Sequence, residues 1–334
     1  MKDIYLLAIE TSCDETAASV VKNGKEILSN VVSSQVAIHS KFGGVVPEVA
    51  SRLHVENISL VIKEAMVESK LSYADLSGIC FTQGPGLIGS LHVGVQAAKT
   101  LAFAFDLPLI PVHHITGHIY ANAFVDDIAF PLLALVVSGG HTELVYMKED
   151  YNFVIIGSTQ DDAVGEAYDK VARILGLPYP GGPEIDKLAK LGQPNYKLPI
   201  PKTDEKYDFS YSGLKSAVLQ MINRLERNGE KLVKADLACS FQEVAIGQLW
   251  SKVELALNEY NPKHFVVAGG VAANSRLREL FVEYMKKYPD ITYTIPPLWC
   301  CTDNAAMIGA SGFQAYLKGV QADESIGANP SLQM

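Results

Sequence analysis

The sequence predicts an α/β chain of two matched lobes, each built on a mixed sheet, with a ligand cleft between them. An internal repeat and a repeated order of elements carry that expectation. "LLAIETSCDETAASVV", Leu6 to Val21, and "LLALVVSGGHTELVYM", Leu132 to Met147, come into register when the chain is slid by 126 residues. Leu6, Leu7 and Ala8 then fall on Leu132, Leu133 and Ala134, Ser12 on Ser138, and Thr16 on Thr142. Both stretches run apolar, polar, apolar, the pattern of a buried hairpin with a polar tip.

Residues 4–12, 16–22 and 25–34 read as strands, with Asn23-Gly24 as a tight turn. Pro47 suits a first helical turn, and Val49, Leu53, Ile58 and Val61 run along the helix behind it. "LSGICFTQGPGLIGS" is a buried strand opening into a Gly-rich loop, "SLHVGVQAAKTLAFAF" a helix and "LPLIPVHH" a strand. The second half repeats the order, with strands near 131–138, 142–147 and 152–158 and helices near 163–176, 212–228 and 236–260. "HFVVAGGVAAN" is a strand ending in a Gly-rich loop, "SRLRELFVEYMKKY" a helix, "ITYTIP" the last strand, and a helix runs from about Asn304 to Lys318. The Pro/Gly-rich segment from Gly176 to Ser210 reads as a long ordered loop, and such loops tend to be functional. The lobes are expected at residues 1–125 and 126–302, with a C-terminal helix within 303–334 packing back on the first.

A chain of 334 residues suits two domains, and 48% hydrophobic with 19% charged residues is too apolar for disorder. No apolar run reaches the roughly 18 residues of a membrane span. "MKDIYLLAIETSCDE" meets acids too early for a secretory signal. Five cysteines, with no CxxC pair, fit a reducing cytoplasm. A net charge of -9 argues against a general nucleic-acid coat, yet Lys187 to Lys234 carries ten Lys/Arg against five acids. That segment is either a solvated helical surface or a local contact with a phosphate backbone.

The hydroxyls and backbone N–H groups of the tips "TSCDET" and "SGGHT" are of the kind that hold phosphate, and Gly139 and Gly140 allow close approach. "AGGVAANSRL", Ala268 to Leu277, is a tight strand-to-helix turn suited to an adenosine, with Asn274 supplying hydrogen bonds at the helix start. "VHHITGHIY" carries the sharpest metal signal. His114 and His118 are four apart and share one helical face, although such a pair alone is more often structural. His113 points elsewhere. Asp303 in "CCTDNAAMIG" starts a helix, where it is either an N-cap or a third ligand. Two histidines and one carboxylate with open positions suit Zn or Fe(II). HExxH, GxxxxGK[ST] and GxSxG are all missing, which argues against a zinc protease, a P-loop enzyme and an α/β-hydrolase.

"IETSCDETAASVV", "GGVVPEVASRLH", "QGPGLIGSLHVG", "HHITGHIYAN", "VVSGGHTEL", "YPGGPEID", "GGVAANSRLR" and "CTDNAAMIG" together resemble the TsaD family, tRNA N6-adenosine threonylcarbamoyltransferases once labelled O-sialoglycoprotein endopeptidases, in its bacterial branch. The resemblance spans nearly the whole chain. It implies the two-lobed actin/Hsp70/sugar-kinase-like fold of duplicated RNase H-like sheets. It also implies transfer of an L-threonylcarbamoyl group from threonylcarbamoyl-AMP to N6 of adenine 37, in tRNAs reading ANN codons, with release of AMP. By that resemblance one divalent metal, Fe(2+) or Zn(2+), falls on His114, His118 and Asp303. The adenylate falls on Val136, Val137, Ser138, Gly139, Gly140, Asp169, Gly182, Asp186 and Asn274, and ATP or ADP could occupy the same place. The implied partners are the tRNA anticodon stem-loop, a paralogous actin-like subunit (TsaB) and a small P-loop ATPase (TsaE).

The donor is an activated mixed anhydride, so the lack of a protein nucleophile agrees with this chemistry. Asp14 or Glu15, at the first tip, would take the amine proton. The competing readings are a small-molecule kinase of the same fold, a peptidase, which the absent HExxH disfavours, and a nucleotide-switched scaffold.

Overall fold

The computed structural model describes residues 2–334 and divides into two compact units. Unit 1 is the chain up to Ile128 together with Pro296–Met334, and unit 2 is Ala129–Ile295.

Unit 1 begins with β1 (Tyr5–Glu10), β2 (Glu15–Lys22) and β3 (Glu26–Ser34). Leu6 to Ile9 are fully buried because β1 is the central strand, flanked antiparallel by β2 and parallel by β4 (Gly78–Gly84). The turn into β3 is tight, and Asn23 and Gly24 both take positive φ. A short helix α1 (Val36–His39) precedes α2 (Pro47–Ser69), which has Pro47 in its first turn and ends at Lys70 in the left-handed region. After β4 come α3 (Ile88–Phe105), β5 (Leu109–His113) and α4 (His114–Tyr120). The sheet order is β3-β2-β1-β4-β5. Its core joins Leu7, Ile9, Val20 and Phe81 to α2 and α3 through Ile58, Ile62, Val95 and Ala98.

Unit 2 repeats the plan with β6 (Leu132–Val137), β7 (Thr142–Met147) and β8 (Val154–Ser158), then α5 (Val164–Ile174), α6 (Gly181–Ala189), α7 (Ser212–Asn228) and α8 (Lys234–Tyr260). It closes with β9 (His264–Ala268), α9 (Ser275–Met285) and β10 (Thr292–Thr294), in the order β10-β9-β6-β7-β8. In each sheet the first strand pairs antiparallel with the second and parallel with the fourth, so the repeat is one of topology as well as sequence. The chain returns to unit 1 through α10 (Leu298–Cys301) and α11 (Ala305–Leu317). α11 lies tightly against the sheet: a Cβ on Gly312 would come within 2.2 Å of the Cys80 sulfur.

One expectation needs correcting. Gly176 to Ser210 is not all loop, because α6 occupies Gly181–Ala189. Pro183 lies in the first turn of that helix, where a missing N–H costs no intrahelical bond, so the proline did not break the helix. Among the described residues no helix is long and apolar enough to cross a membrane.

Candidate active site

In unit 1, β5 runs directly into α4, and the turn is held by His113. Its Nδ1 accepts the Ile115 N–H at 3.2 Å and its Nε2 donates to the Leu332 carbonyl at 3.0 Å. Burial pushes the His113 imidazole down to about 4, so it stays neutral and structural. His114 and His118 share the next helical face, with ring centroids 4.8 Å apart and planes nearly perpendicular.

The third group arrives from the far end of the sequence. Asn304 caps α11 by accepting the Met307 N–H at 3.1 Å, so the cap role falls to Asn304 and Asp303 turns to the histidines. Its Oδ1 lies 3.1 Å from His118 Nε2 and 3.6 Å from His114 Nε2. One donor atom from each of the three residues lies within 4.8 Å of the others. Two imidazole nitrogens and a carboxylate oxygen at that separation can hold a single divalent ion.

Sequence reasoning missed Glu10, which ends β1 fully buried. Ser12 N–H and Thr82 Oγ donate to it, and His114 Nδ1 lies 3.0 Å from its Oε2. Burial would raise its carboxyl, but the charge and hydrogen bond of His114 outweigh that and hold it below the usual range. His114 responds in kind: burial works against its charge, yet Asp303 and Glu10 raise it to about 9. The signal was present in the sequence, since an acid within an apolar strand must find partners.

The first tip is crowded with acids. Asp14 is buried, and its Oδ2 has no hydrogen-bond partner. Glu15 is pushed up to about 10, first by burial and then by the charges of Asp303 and Asp14. Burial and Asp14 also drive the Cys13 thiol well up, which makes it a poor nucleophile. The helix behind Pro47 pins this tip: His54 bonds Thr16 Oγ at 2.7 Å and the Cys13 carbonyl at 3.0 Å. The tip's hydroxyls are also engaged, Thr11 with the Ser90 carbonyl and Ser12 with His114.

In unit 2 a chain of hydrogen bonds joins the residues expected around an adenylate. Val136 and Val137 have fully buried side chains and deliver Ser138 to the second tip. The Ser138 carbonyl accepts from Gly165 N on α5 at 3.2 Å. Asp169, on the same helix, accepts from Gly181 N at 2.7 Å, beside Gly182. Burial raises the Asp169 carboxyl against those amide bonds. Asp186, on the helix begun by those glycines, accepts from Ser275 Oγ at 2.9 Å. Asn274 caps α9 by accepting the Leu277 N–H and gives its amide to Gln242, so both of its polar ends have protein partners. Gly139, Gly140 and Gly182 face open space, and a Cβ there would meet no atom within 4 Å. At Gly269 a Cβ would lie 2.5 Å from the Val137 carbonyl, at φ +91°, so the third Gly-rich turn packs hard against the tip.

Much of the basic segment is neutralised. Lys187 pairs with Glu184, Lys190 with Asp186, Lys206 with Glu259 and Lys215 with Asp162, while Lys234 binds the Leu175 carbonyl.

The TsaD family profile, described as tRNA N6-adenosine threonylcarbamoyltransferase, matches residues 26–310. The protein of that name from Geobacillus kaustophilus is 58% identical over 334 residues, covering 100% of this chain and 98% of that one. The Bacillus subtilis protein of the same name is 56% identical, covering 100% and 96%. Among solved structures, full-length HypF superposes with a TM-score of 0.62 at 14% identity, over 94% of this chain and 55% of that one. Component A of the Acidaminococcus fermentans (R)-2-hydroxyglutaryl-CoA dehydratase superposes with a TM-score of 0.54 at 16% identity, over 95% and 100%. These two structures show the fold alone, that of the actin/Hsp70/sugar-kinase class. Nothing in the comparisons supports a small-molecule kinase or a nucleotide-switched scaffold. A profile over most of the chain and relatives above half identity along its whole length give one conclusion: the chain belongs to the TsaD family of tRNA N6-adenosine threonylcarbamoyltransferases.

Proposed function

We propose that His114, His118 and Asp303, with the acids of the first tip, form the acyl-transfer centre of a t6A-synthesising enzyme. The observation that carries this reading is the convergence of three metal-donor atoms from α4 and the α10–α11 turn beside Asp14 and Glu15. The threonylcarbamoyl group leaves threonylcarbamoyl-AMP and joins N6 of adenine 37 in tRNAs that read ANN codons. A new N–C bond forms at the carbamoyl carbon, the C–O bond to AMP breaks, and one amine proton is lost.

Fe(2+) or Zn(2+) held by the triad would supply Lewis acidity for the charge that develops on the carbonyl and the leaving phosphate. Asp14 is the better placed acceptor for the amine proton, since its Oδ2 has no protein partner. Glu15, pushed up to about 10, keeps its own proton at neutral pH and acts as a donor. The raised Cys13 thiol agrees with direct transfer, without a covalent enzyme intermediate.

The adenylate lies on the second tip and the residues bonded behind it: Ser138, Gly139, Gly140, Asp169, Gly182, Asp186 and Asn274. Open space at the three glycines and the linked hydrogen bonds of α5, α6 and α9 support this. Val136 and Val137 serve by carrying the tip. The tRNA anticodon stem-loop, TsaB and TsaE are the partners. One face of α3 packs into the core through Leu91, Val95 and Ala98, while Ile88, Phe103 and Phe105 stay exposed and suit a docked subunit.

The test is mass spectrometry of tRNA nucleosides after incubation with this chain, the partner subunits and threonylcarbamoyl-AMP. Formation of t6A that stops in His114→Ala supports the reading. Undiminished t6A from that variant overturns the assignment of the centre.

A further inference from the structure

We propose that Glu10 is a positioning residue of the metal centre, whose carboxylate holds the His114 ring as the Nδ1–H tautomer and aims Nε2 toward His118 and Asp303. The inference rests on the metal reading given above and adds a residue outside the ligand set.

A neutral imidazole has one N–H and one lone pair, and the hydrogen bond made by one nitrogen decides which is which. Glu10 is fully buried, and its two oxygens receive the Ser12 N–H, the Thr82 hydroxyl at 2.6 Å and His114 Nδ1 at 3.0 Å. A carboxylate only accepts, so Nδ1 must carry a hydrogen, and once the ring is neutral, as a metal ligand has to be, the lone pair lies on Nε2. That nitrogen lies 3.6 Å from Asp303 Oδ1. In the neutral ring that lone pair and the carboxylate oxygen face each other, and a cation held between them satisfies both.

The frame behind Glu10 is rigid. β1 is the central strand of its sheet, and Thr82 sits on β4, hydrogen-bonded beside it. Glu10 therefore fixes the ring against the buried central strand of unit 1, before any ligand arrives. His118 has no such support, since its Nδ1 is buried without a hydrogen-bond partner. Of the two imidazoles, His114 is fixed from behind at Nδ1, whereas His118 meets a polar partner only through Nε2, at Asp303. Carboxylates placed behind metal-bound histidines orient the ring and raise its basicity, and their loss typically costs about 10- to 100-fold in metal affinity.

The test compares the parent, Glu10→Gln, Glu10→Asp and Thr82→Val, each as the full chain, by competing zinc or cobalt against a chelator. Thr82→Val removes a hydrogen bond from the same carboxylate oxygen and leaves His114 its acceptor. The expected result is a metal dissociation constant raised about 10- to 100-fold in Glu10→Gln, with Thr82→Val near the parent. In zinc-loaded protein labelled with 15N at histidine, the His114 Nδ1–H signal should move in Glu10→Gln and stay in Thr82→Val. If Glu10→Gln does not fold, Glu10→Asp, which withdraws the carboxylate by one methylene, should show the same loosened metal and moved signal. Parent-like affinity and signal in either Glu10 variant overturn the proposal. So does equal loosening in Thr82→Val, which would make Glu10 a fastener of the strand end. Should the parent itself fail to hold metal, or hold it equally in His114→Ala, the metal reading falls first, and the two failures are distinguishable.

Discussion

In hairpin β1–β2, Glu10 faces Ala17 across the strands; in hairpin β6–β7, the equivalent pair is Val136 facing Glu143. The same cross-strand position holds an acid in both units, on the first strand in one and the second in the other. Their surroundings differ sharply. Glu10 is enclosed by three donors and lies below the usual carboxylate range. Glu143 has a buried Oε2 with no partner, and burial pushes it up to about 7. The tips beyond them diverge in the same sense: the first is packed with Asp14, Glu15 and His54, while the second ends in two glycines facing open space. One duplicated frame has thus been furnished in two ways, with buried titratable groups at the first tip and open glycine backbone at the second.

The largest effect expected is at the first tip. His114→Ala or Asp303→Ala should empty the metal site and lower transfer about 10²-fold or more, with the fold retained by circular dichroism. Full metal occupancy in both variants would mean that the two tips do not differ in metal chemistry at all.

At the second tip, Gly269→Ala and Gly140→Ala should separate packing from binding. The first forces a Cβ 2.5 Å from the Val137 carbonyl at φ +91° and should cost about 1–3 kcal/mol in denaturant unfolding. The second meets no atom within 4 Å, so stability should move by less than about 0.5 kcal/mol while adenylate affinity falls. Calorimetric titration showing unchanged affinity in Gly140→Ala would remove the ligand from this tip.

Glu143→Gln sharpens the contrast between the paired and unpaired acids. The folded-state value of about 7 lies above the ordinary 4.5, so the folded protein binds the proton more tightly than the unfolded chain. Stability from this group is therefore full below about pH 4.5 and is lost as the pH rises through about 7. The glutamine variant should match the parent near pH 4 and exceed it at pH 8, by at most about 3 kcal/mol. Unfolding curves with no pH-dependent gap would show that water reaches Glu143 after all.

The smallest effect is expected in the basic segment of unit 2. Lys206 is tied to Glu259 and lies over the Tyr207 ring, so reversing it breaks an existing pair, whereas Lys197 and Lys202 are in no ion pair among the described residues. Lys197→Glu with Lys202→Glu should weaken tRNA binding and reduce the slope of log affinity against log salt by about 2. An unchanged slope would leave this segment a solvated surface.

The repeat, the strands and the two Gly-rich loops were legible because they are written in local patterns: apolar runs, turn residues and a fixed offset. The pair His114 and His118 was legible for the same reason, since i, i+4 spacing is a helix property. α6 was missed because six prolines from Pro178 to Pro201 suggested a break, and one of them sits where a helix tolerates it. Asp303 could be read either as a cap or as a ligand, and only the tertiary structure shows that Asn304 takes the cap while Asp303 lies beside the histidines.

What the sequence determined alone was the inventory: two hairpins, their polar tips, a histidine pair and an acid far downstream. What only the tertiary structure decided was company. The separation between His118 and Asp303 along the chain is 185 residues, and α11 must fold back onto the sheet of unit 1 before their atoms come within 3.1 Å. Glu10 and Thr82 are 72 residues apart and meet because β1 and β4 are neighbours in one sheet. A strand or helix records its own periodicity, because the backbone geometry is local. The ionisation of a carboxylate depends on burial and on charges brought from elsewhere, and only the packed chain supplies those.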